Sequence, residues 1–348
     1  MANIAVLDDY QNAALRAADW SGLQANHTVV AFNQRLADVD AVARALADFE
    51  VIGIMRERTP FSRGVFERLP KLKLLVTTGK RNASIDLEAA KAHNVMVCST
   101  GGSGRATAEL AIGLMIALAR HMREEFQTMR PGGGWQTTLG NDLEGKTLGI
   151  IGLGNLGAKV GRIGAAMDMK VIAWSENLTD ERAKENGAER VDKDELFRRS
   201  DVISIHSVLS PRTRGLVGAR ELALMKPTAL LINTSRGPII DETALLNALR
   251  EGRIAGFGGD TFDVEPLPAN HPLRSEPRAL LCHRGNLSPV LRRHGAGDRS
   301  LVRRQSDQRA DLIYFRTISA SAATAPDGPT NNGLISASFS RPFRATAI

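Results

Sequence analysis

Short apolar runs alternating with helical periodicity fill the first hundred residues of this chain. Residues 3–9 (NIAVLDD), 28–33 (TVVAFN), 51–55 (VIGIM), 72–78 (LKLLVTT) and 95–100 (VMVCST) read as strands. Several of them are apolar without alternation, which is the mark of a parallel sheet covered by helices on both faces. Residues 104–126 (GRATAELAIGLMIALARHMREEF) read as a single long helix linking this unit to a second one. The second unit opens at residues 146–174, where a strand of small and branched residues runs into GLGNLG, then a helix pattern, then a strand ending near Trp174. Residues 201–207 (DVISIHS), 229–235 (ALLINTS) and 254–260 (IAGFGGD) repeat the strand pattern with helices between them. Both units are therefore expected to be α/β, doubly wound around parallel sheets, with ligands at the carboxyl ends of the strands.

The chain has 348 residues, long enough for two domains that each bury a core. Hydrophobic residues make up 43% and aromatics 5%, which suits an α/β protein better than an all-β one. The net charge of +7 at first suggests a nucleic-acid partner. Residues 284–348 carry ten arginines against four aspartates, so six of the seven net charges belong to that tail, and the body is nearly neutral. Nucleic acid is thereby excluded as the expected partner. Two cysteines, Cys98 and Cys282, are too few for a disulfide framework, so a reducing cytoplasm is the expected location. No window has the apolar length of a membrane helix.

Candidate chemistry gathers at the strand ends. Gly152, Gly154, Asn155, Leu156 and Gly157 form a GxGxxG turn with a strand before it and a helix after it, the context that makes the motif a dinucleotide site. The glycines let backbone N–H groups approach a pyrophosphate, and the helix N-terminus adds partial positive charge. Other strands end in His206-Ser207, in Thr234-Ser235-Arg236-Gly237 and in the run from Asp260 to Glu265. His93, His121 and His271 read as ordinary surface or loop histidines, and no metal-ligand spacing is present, so no metal is expected.

These motifs, in this order, resemble the D-isomer-specific 2-hydroxyacid dehydrogenase family, relatives of phosphoglycerate dehydrogenases and glyoxylate/hydroxypyruvate reductases. The likeness runs over roughly residues 1–289 through ELAIGLMIALAR, GIIGLGNLG, INTSRGPIID and GDTFDVEPLP. It implies a Rossmann-type cofactor domain, residues 100–283, inserted in a flavodoxin-like substrate domain formed by residues 1–99 and a return segment. By motif, the catalytic residues implied are Arg236, Glu265 and His283. Gly79, Lys80 and Arg81 are implied to meet the substrate, and the resemblance also implies a homodimer joined through the helix over residues 104–120.

The roles make chemical sense. A 2-oxo acid carries a carboxylate beside a carbonyl, and its reduction needs a hydride at carbon and a proton at oxygen. Arg236 can hold the carboxylate with a planar fork, His283 can exchange the proton near neutral pH, and Glu265 can orient the imidazole. Lys80 and Arg81 favour an anionic substrate. Cofactor choice stays open in the sequence: Ser175 stands where an Asp would bond the ribose of NAD, Glu176 follows it, and either NAD, the preferred reading, or NADP fits.

The chain departs from the family after His283. Cys282 stands where proline is usual, and from residue 290 an Arg-, Ser- and Ala-rich tail replaces the expected return helix. Codons permitted for residues 290–311 (VLRRHGAGDRSLVRRQSDQRAD), shifted by one nucleotide, spell SYGAMAQEIVRWFDGNPINVL, a family-like helix and closing strand. A frame change near residues 288–290 is therefore expected, with residues 284–348 an aberrant, largely disordered tail open to proteolysis. The leading functional expectation is an oxidoreductase moving a hydride between a nicotinamide cofactor and a small 2-oxo acid. The alternatives are an NAD(P)-binding protein without useful turnover, because of the altered tail, and an interaction protein on the same scaffold.

Overall fold

A computed structural model describes residues 1–36, 38–78, 82–100 and 105–282, together with the backbone of residues 335–336. The chain divides into two compact units, Met1–Ser103 with Gly285–Ile348, and Gly104–Arg284.

In the first unit, β1 (Asn3–Val6), β2 (Thr28–Ala31), β3 (Val51–Ile54), β4 (Leu74–Thr77) and β5 (Met96–Ser99) form an all-parallel sheet in the order β5-β4-β3-β1-β2. The continuous apolar runs arise because both faces are covered. Ile4, Val6, Val51, Leu74 and Val76 pack into one core, while their neighbours Ala5, Leu7, Ile52 and Leu75 pack into the other. Two crossover helices start where a carboxylate caps them, Asp38 accepting from Ala41 N and Asp86 from Ala89 N. The strands are shorter than the apolar pattern suggests. After β1 the chain turns out of the ladder at Asp8, which has a left-handed φ of 61°, and the Asp9 carboxylate then accepts from the amides of Ala13 and Ala14. The final strand, Ile335–Ser336, adds to the outer edge of β5, Ile335 opposite Cys98 and Ser336 opposite Ser99. The remainder of the tail, whose disorder the sequence predicts, lies outside the described residues.

The second unit holds β6 (Thr147–Ile151), β7 (Lys170–Trp174), β8 (Glu189–Arg190), β9 (Val202–Ile205), β10 (Leu230–Asn233), β11 (Gly256–Gly259) and β12 (Ala279–Leu281). Their order is β12-β11-β10-β9-β6-β7-β8, again all parallel. The connection reverses direction between β6 and β9, so the crevice at their carboxyl ends is the topological switch point. Taking Ile335–Ser336 as β13, the sheet of the first unit has its own switch between β1 and β3.

The single helix expected over residues 104–126 is two helices, Arg105–Ala119 and Met122–Thr128. His121 between them takes a left-handed φ of 48°, and the N–H groups of Arg120 and His121 close the first helix on Ile116 and Leu118. A change of environment drives the break: Ala108, Ala111, Leu114 and Met115 are buried, while the second helix buries nothing. The first helix can press onto β11 because that strand is glycine. A Cβ on Gly258 would stand 3.1 Å from Leu114 Cβ and from Leu118 Cδ1. That also explains why GFGG occurs in a buried strand.

Candidate active site

The glycine turn follows β6 directly. Gly152 has φ +95°, and a Cβ there would meet the His206 carbonyl at 2.8 Å and Ser207 Oγ at 2.9 Å. A Cβ on Gly157 would overlap the Gly152 carbonyl oxygen and approach Ile150 Cγ2 at 2.9 Å, so this glycine lets the helix Asn155–Ala166 seat against β6. Gly154 caps that helix and differs from both: its Cβ would face open space, with no atom within 4 Å. The open side of Gly154, the first-turn amides at Asn155 and Leu156, and a 12-residue helix aimed at it make the cradle a dinucleotide pyrophosphate needs. Ser175, just past β7, accepts a hydrogen bond from Leu153 N at 3.1 Å, so its hydroxyl braces the turn, while Glu176 beside it is exposed.

The strands on the other side of the switch point add polar groups to the same sheet edge. His206 follows β9, and its Nε2 lies 2.8 Å from Ser204 Oγ. Thr234 and Asp260, after β10 and β11, are buried at 2% and 4% exposure. Arg236 is half-buried; its Nη1 donates to the Ser235 carbonyl at 2.7 Å, and its own carbonyl accepts from Asn233 Nδ2 at 2.9 Å. Glu265 lies on the loop after β11, where Oε1 accepts from Phe262 N at 3.4 Å. The Arg236 and Glu265 loops touch through their backbones. Gly237 is packed so closely on Phe262 that a Cβ there would overlap the Phe262 carbonyl carbon and stand 2.5 Å from Asp263 N. Burial, and then the charge of Glu242, push the Asp263 carboxyl above its ordinary range.

At the switch point of the first unit, Asp8 is 2% exposed. It accepts from Tyr10 OH at 2.9 Å and from Thr59 Oγ1 at 3.1 Å, and Arg58 stacks over the Tyr10 ring 5.0 Å from its centroid. Burial raises the Asp8 pKa from its ordinary 3.8, outweighing the hydrogen bonds from Tyr10 and Thr59. The folded state thus holds this proton more tightly than the unfolded chain. Stability falls as pH rises from 3.8 through the folded pKa, and the full penalty stands above it. Asp8→Asn keeps an acceptor and suits a left-handed residue. It is expected to be the more stable chain at neutral pH, with an advantage that shrinks as the pH falls through that window. Urea unfolding of both chains between about pH 4 and pH 8 checks this; a difference independent of pH contradicts it.

Of the residues singled out in the sequence, Gly152, Gly154, Asn155, Leu156, Gly157, Ser175, Glu176, His206, Ser207, Thr234, Arg236, Asp260 and Glu265 all sit in the second unit, at or just beyond carboxyl strand ends. Gly79, Lys80, Arg81 and His283 lie outside the described residues, His283 coming two residues after β12 ends at Leu281. His271 is more than an ordinary loop histidine: Nε2 meets Glu242 Oε1 at 2.9 Å and Nδ1 accepts from Leu273 N. Sequence reasoning missed this pair, and also the Asp8–Thr59 contact. The His-Pro step at residues 271–272, which marks a helix start, was the available signal for the first. Among the described residues no group of three His, Cys, Asp or Glu side chains could hold a metal, and no helix is long and apolar enough to cross a membrane.

Residues 112–283 match the family model described as D-isomer specific 2-hydroxyacid dehydrogenase, NAD binding domain. The chain is 40% identical to a glyoxylate reductase of Aeropyrum pernix, over 62% of this chain and 68% of that one. It is 38% identical to a glyoxylate reductase of Thermococcus litoralis, over 74% and 78%. The crystal structure of a phosphoglycerate oxidoreductase from Vibrio cholerae superposes with a TM-score of 0.81 at 32% identity, covering 93% of this chain and all of the other. The chain belongs to the D-isomer-specific 2-hydroxyacid dehydrogenase family. It is an NAD-dependent oxidoreductase that moves a hydride between the cofactor and 2-oxo or 2-hydroxy acids, and the cradle at Gly152–Gly157 fits that cofactor.

Proposed function

We propose that the chain reduces a small anionic 2-oxo acid of the glyoxylate or hydroxypyruvate type to the 2-hydroxy acid, of D configuration where C2 becomes a stereocentre, with Arg236, Glu265 and His283 as its catalytic residues. Gly104–Arg284 serves as the cofactor domain, and the first unit, with Gly79, Lys80 and Arg81, as the substrate domain. NADH, when bound, supplies the hydride; the chain supplies geometry, charge and the proton. Arg236 binds the substrate carboxylate and polarises the adjoining carbonyl, His283 gives its proton to the carbonyl oxygen, and Glu265 holds the imidazole in its charged form. The observation that carries this reading is the backbone contact of Gly237 on Phe262, which brings the Arg236 and Glu265 loops together on the sheet edge that bears the glycine turn. The names of the relatives, two glyoxylate reductases, support a small substrate. The test is the rate of NADH loss against glyoxylate, hydroxypyruvate and branched 2-oxo acids. Preference for the two small acids supports the reading, and preference for a branched acid overturns it.

A homodimer is part of this proposal, through a different surface from the one the sequence suggested. The helix Arg105–Ala119 spends most of its apolar residues inside its own unit. Just beyond it, Phe126, Met129, Trp135 and Leu139 are exposed, Trp135 at 72% and Leu139 at 91%. Four large apolar side chains within one short segment are what an interface needs and a free surface avoids. Phe126→Glu with Trp135→Glu is expected to shift the chain from dimer to monomer at micromolar concentration, as read by light scattering after gel filtration. An unchanged mass contradicts the assignment. The free thiols of Cys98 and Cys282 support a reducing, cytoplasmic setting.

A further inference from the structure

Arg236 and Glu265 sit on separate loops, and each loop is tied down six residues later. From Arg236 the chain passes through a short 3-10 turn, Gly237–Ile239, and reaches Glu242, the first residue of the helix Glu242–Arg250. From Glu265 it reaches His271, which caps the helix Pro272–Ser275. Glu242 Oε1 and His271 Nε2 are 2.9 Å apart, and the two side chains are only 27% and 15% exposed. The other imidazole nitrogen accepts from Leu273 N at 3.3 Å, so Nε2 carries the hydrogen and donates to Glu242. At the near end the same loops meet where Gly237 lies on Phe262 and Asp263. Between these two points a small cleft is lined by Asn233, Thr261 and Asp263.

We propose that the Glu242–His271 pair is a positioning clamp that sets the distance and orientation of Arg236 relative to Glu265. The proposal rests on the catalytic assignment of those two residues given above. The chemistry explains why a bond is needed here. Glu242 and Asp263 are acidic side chains lining the same cleft, so a hydrogen-bond donor is needed to fix the Glu242 carboxylate there. His271 takes up the Glu242 carboxylate through one nitrogen and anchors itself to its own helix through the other, so a rotation of either loop breaks a hydrogen bond. Two fixed points, Gly237 on Phe262 and Glu242 on His271, define the loop pair as a hinge with one contact could not. Neither residue of the pair touches substrate or cofactor in this account; both act through the loops they hold.

The experiment uses the full chain and five variants: His271→Ala, His271→Gln, Glu242→Ala, the double change of His271→Ala with Glu242→Ala, and Arg236→Ala. For each, kcat and KM with glyoxylate, the NADH dissociation constant and the melting midpoint are measured well below the lowest midpoint. His271→Ala and Glu242→Ala are each expected to lower kcat about tenfold with NADH affinity unchanged, within the roughly 10²-fold that misplacement by about an ångström can cost. His271→Gln, which keeps a donor for Glu242, is expected to regain most of the loss. Combining His271→Ala with Glu242→Ala is expected to cost no more than the worse single change, because both remove the same bond. A kcat within twofold of the parent, with only the melting midpoint lowered, overturns the clamp and leaves the pair a purely structural contact. A parallel loss of NADH affinity also overturns it, because it reports general damage to the unit. Glu242→Ala stands as the test if His271→Ala does not fold. Arg236→Ala separates the two levels: if it keeps turnover, the catalytic assignment falls and the clamp with it, whereas if it loses turnover while His271→Ala keeps it, the clamp alone falls.

Discussion

Arg236→Lys is expected to lower kcat/KM for 2-oxo acids by about 10²-fold and Arg236→Ala by about 10³-fold, with NADH binding retained. The guanidinium presents paired donors in one plane, which match a carboxylate and reach the neighbouring carbonyl oxygen at the same time, while an ammonium offers a single point of charge. Its setting favours that role: Arg236 comes three residues after β10 ends, its carbonyl is held by Asn233, and one Nη already donates to Ser235, so the fork is oriented before substrate arrives. Much of the loss should appear in kcat, because polarisation of the carbonyl grows as negative charge develops on its oxygen. Steady-state kinetics with glyoxylate, alongside NADH titration by fluorescence, read both quantities. A loss confined to KM would mean that Arg236 binds the carboxylate without acting on the carbonyl, and no loss would remove it from the site.

The second large effect separates two glycines of one turn. Gly154→Ala is expected to weaken NADH binding at least tenfold while leaving the melting midpoint unchanged, because the added methyl enters open space on the side where the pyrophosphate must approach. Gly157→Val is expected to abolish NADH binding and to lower stability by about 2–4 kcal/mol. Its side chain has no room between the Gly152 carbonyl and Ile150, so the helix Asn155–Ala166 must back away from β6 and take the phosphate-binding amides with it. Calorimetric binding and thermal unfolding of the two variants check the contrast. If Gly154→Ala loses stability as well, the open side of the turn is not where the cofactor lies.

Much of this is legible in the sequence. The apolar runs announced parallel sheets because both faces of each strand are buried, as the two cores flanking β1 and β3 show. The glycine turn was readable because its requirements are local: a left-handed φ at Gly152, a close approach at Gly157 and a free face at Gly154 all lie within six residues. What escaped depends on partners distant in sequence. His271 and Glu242 are 29 residues apart, and Asp8 and Thr59 are 51 apart, so no periodicity links either pair. The helix break at His121 escaped because helical periodicity continues across it and only the loss of a packing surface ends the first helix. Strand ends were overestimated where a polar residue leaves the ladder, as at Asp8, because an apolar run does not mark the last hydrogen bond.

In the proposed reaction a hydride passes from the nicotinamide to C2 of a 2-oxo acid that is held by Arg236 and protonated by His283. Label from NADH deuterated at C4 can be followed into the product formed from hydroxypyruvate, with this chain and with His283→Ala. Deuterium is expected at C2 of a product of D configuration, with a rate lowered by about 10²–10⁴-fold in the variant. Product of L configuration, deuterium lost to solvent, or a rate unaffected by removal of His283 would contradict it.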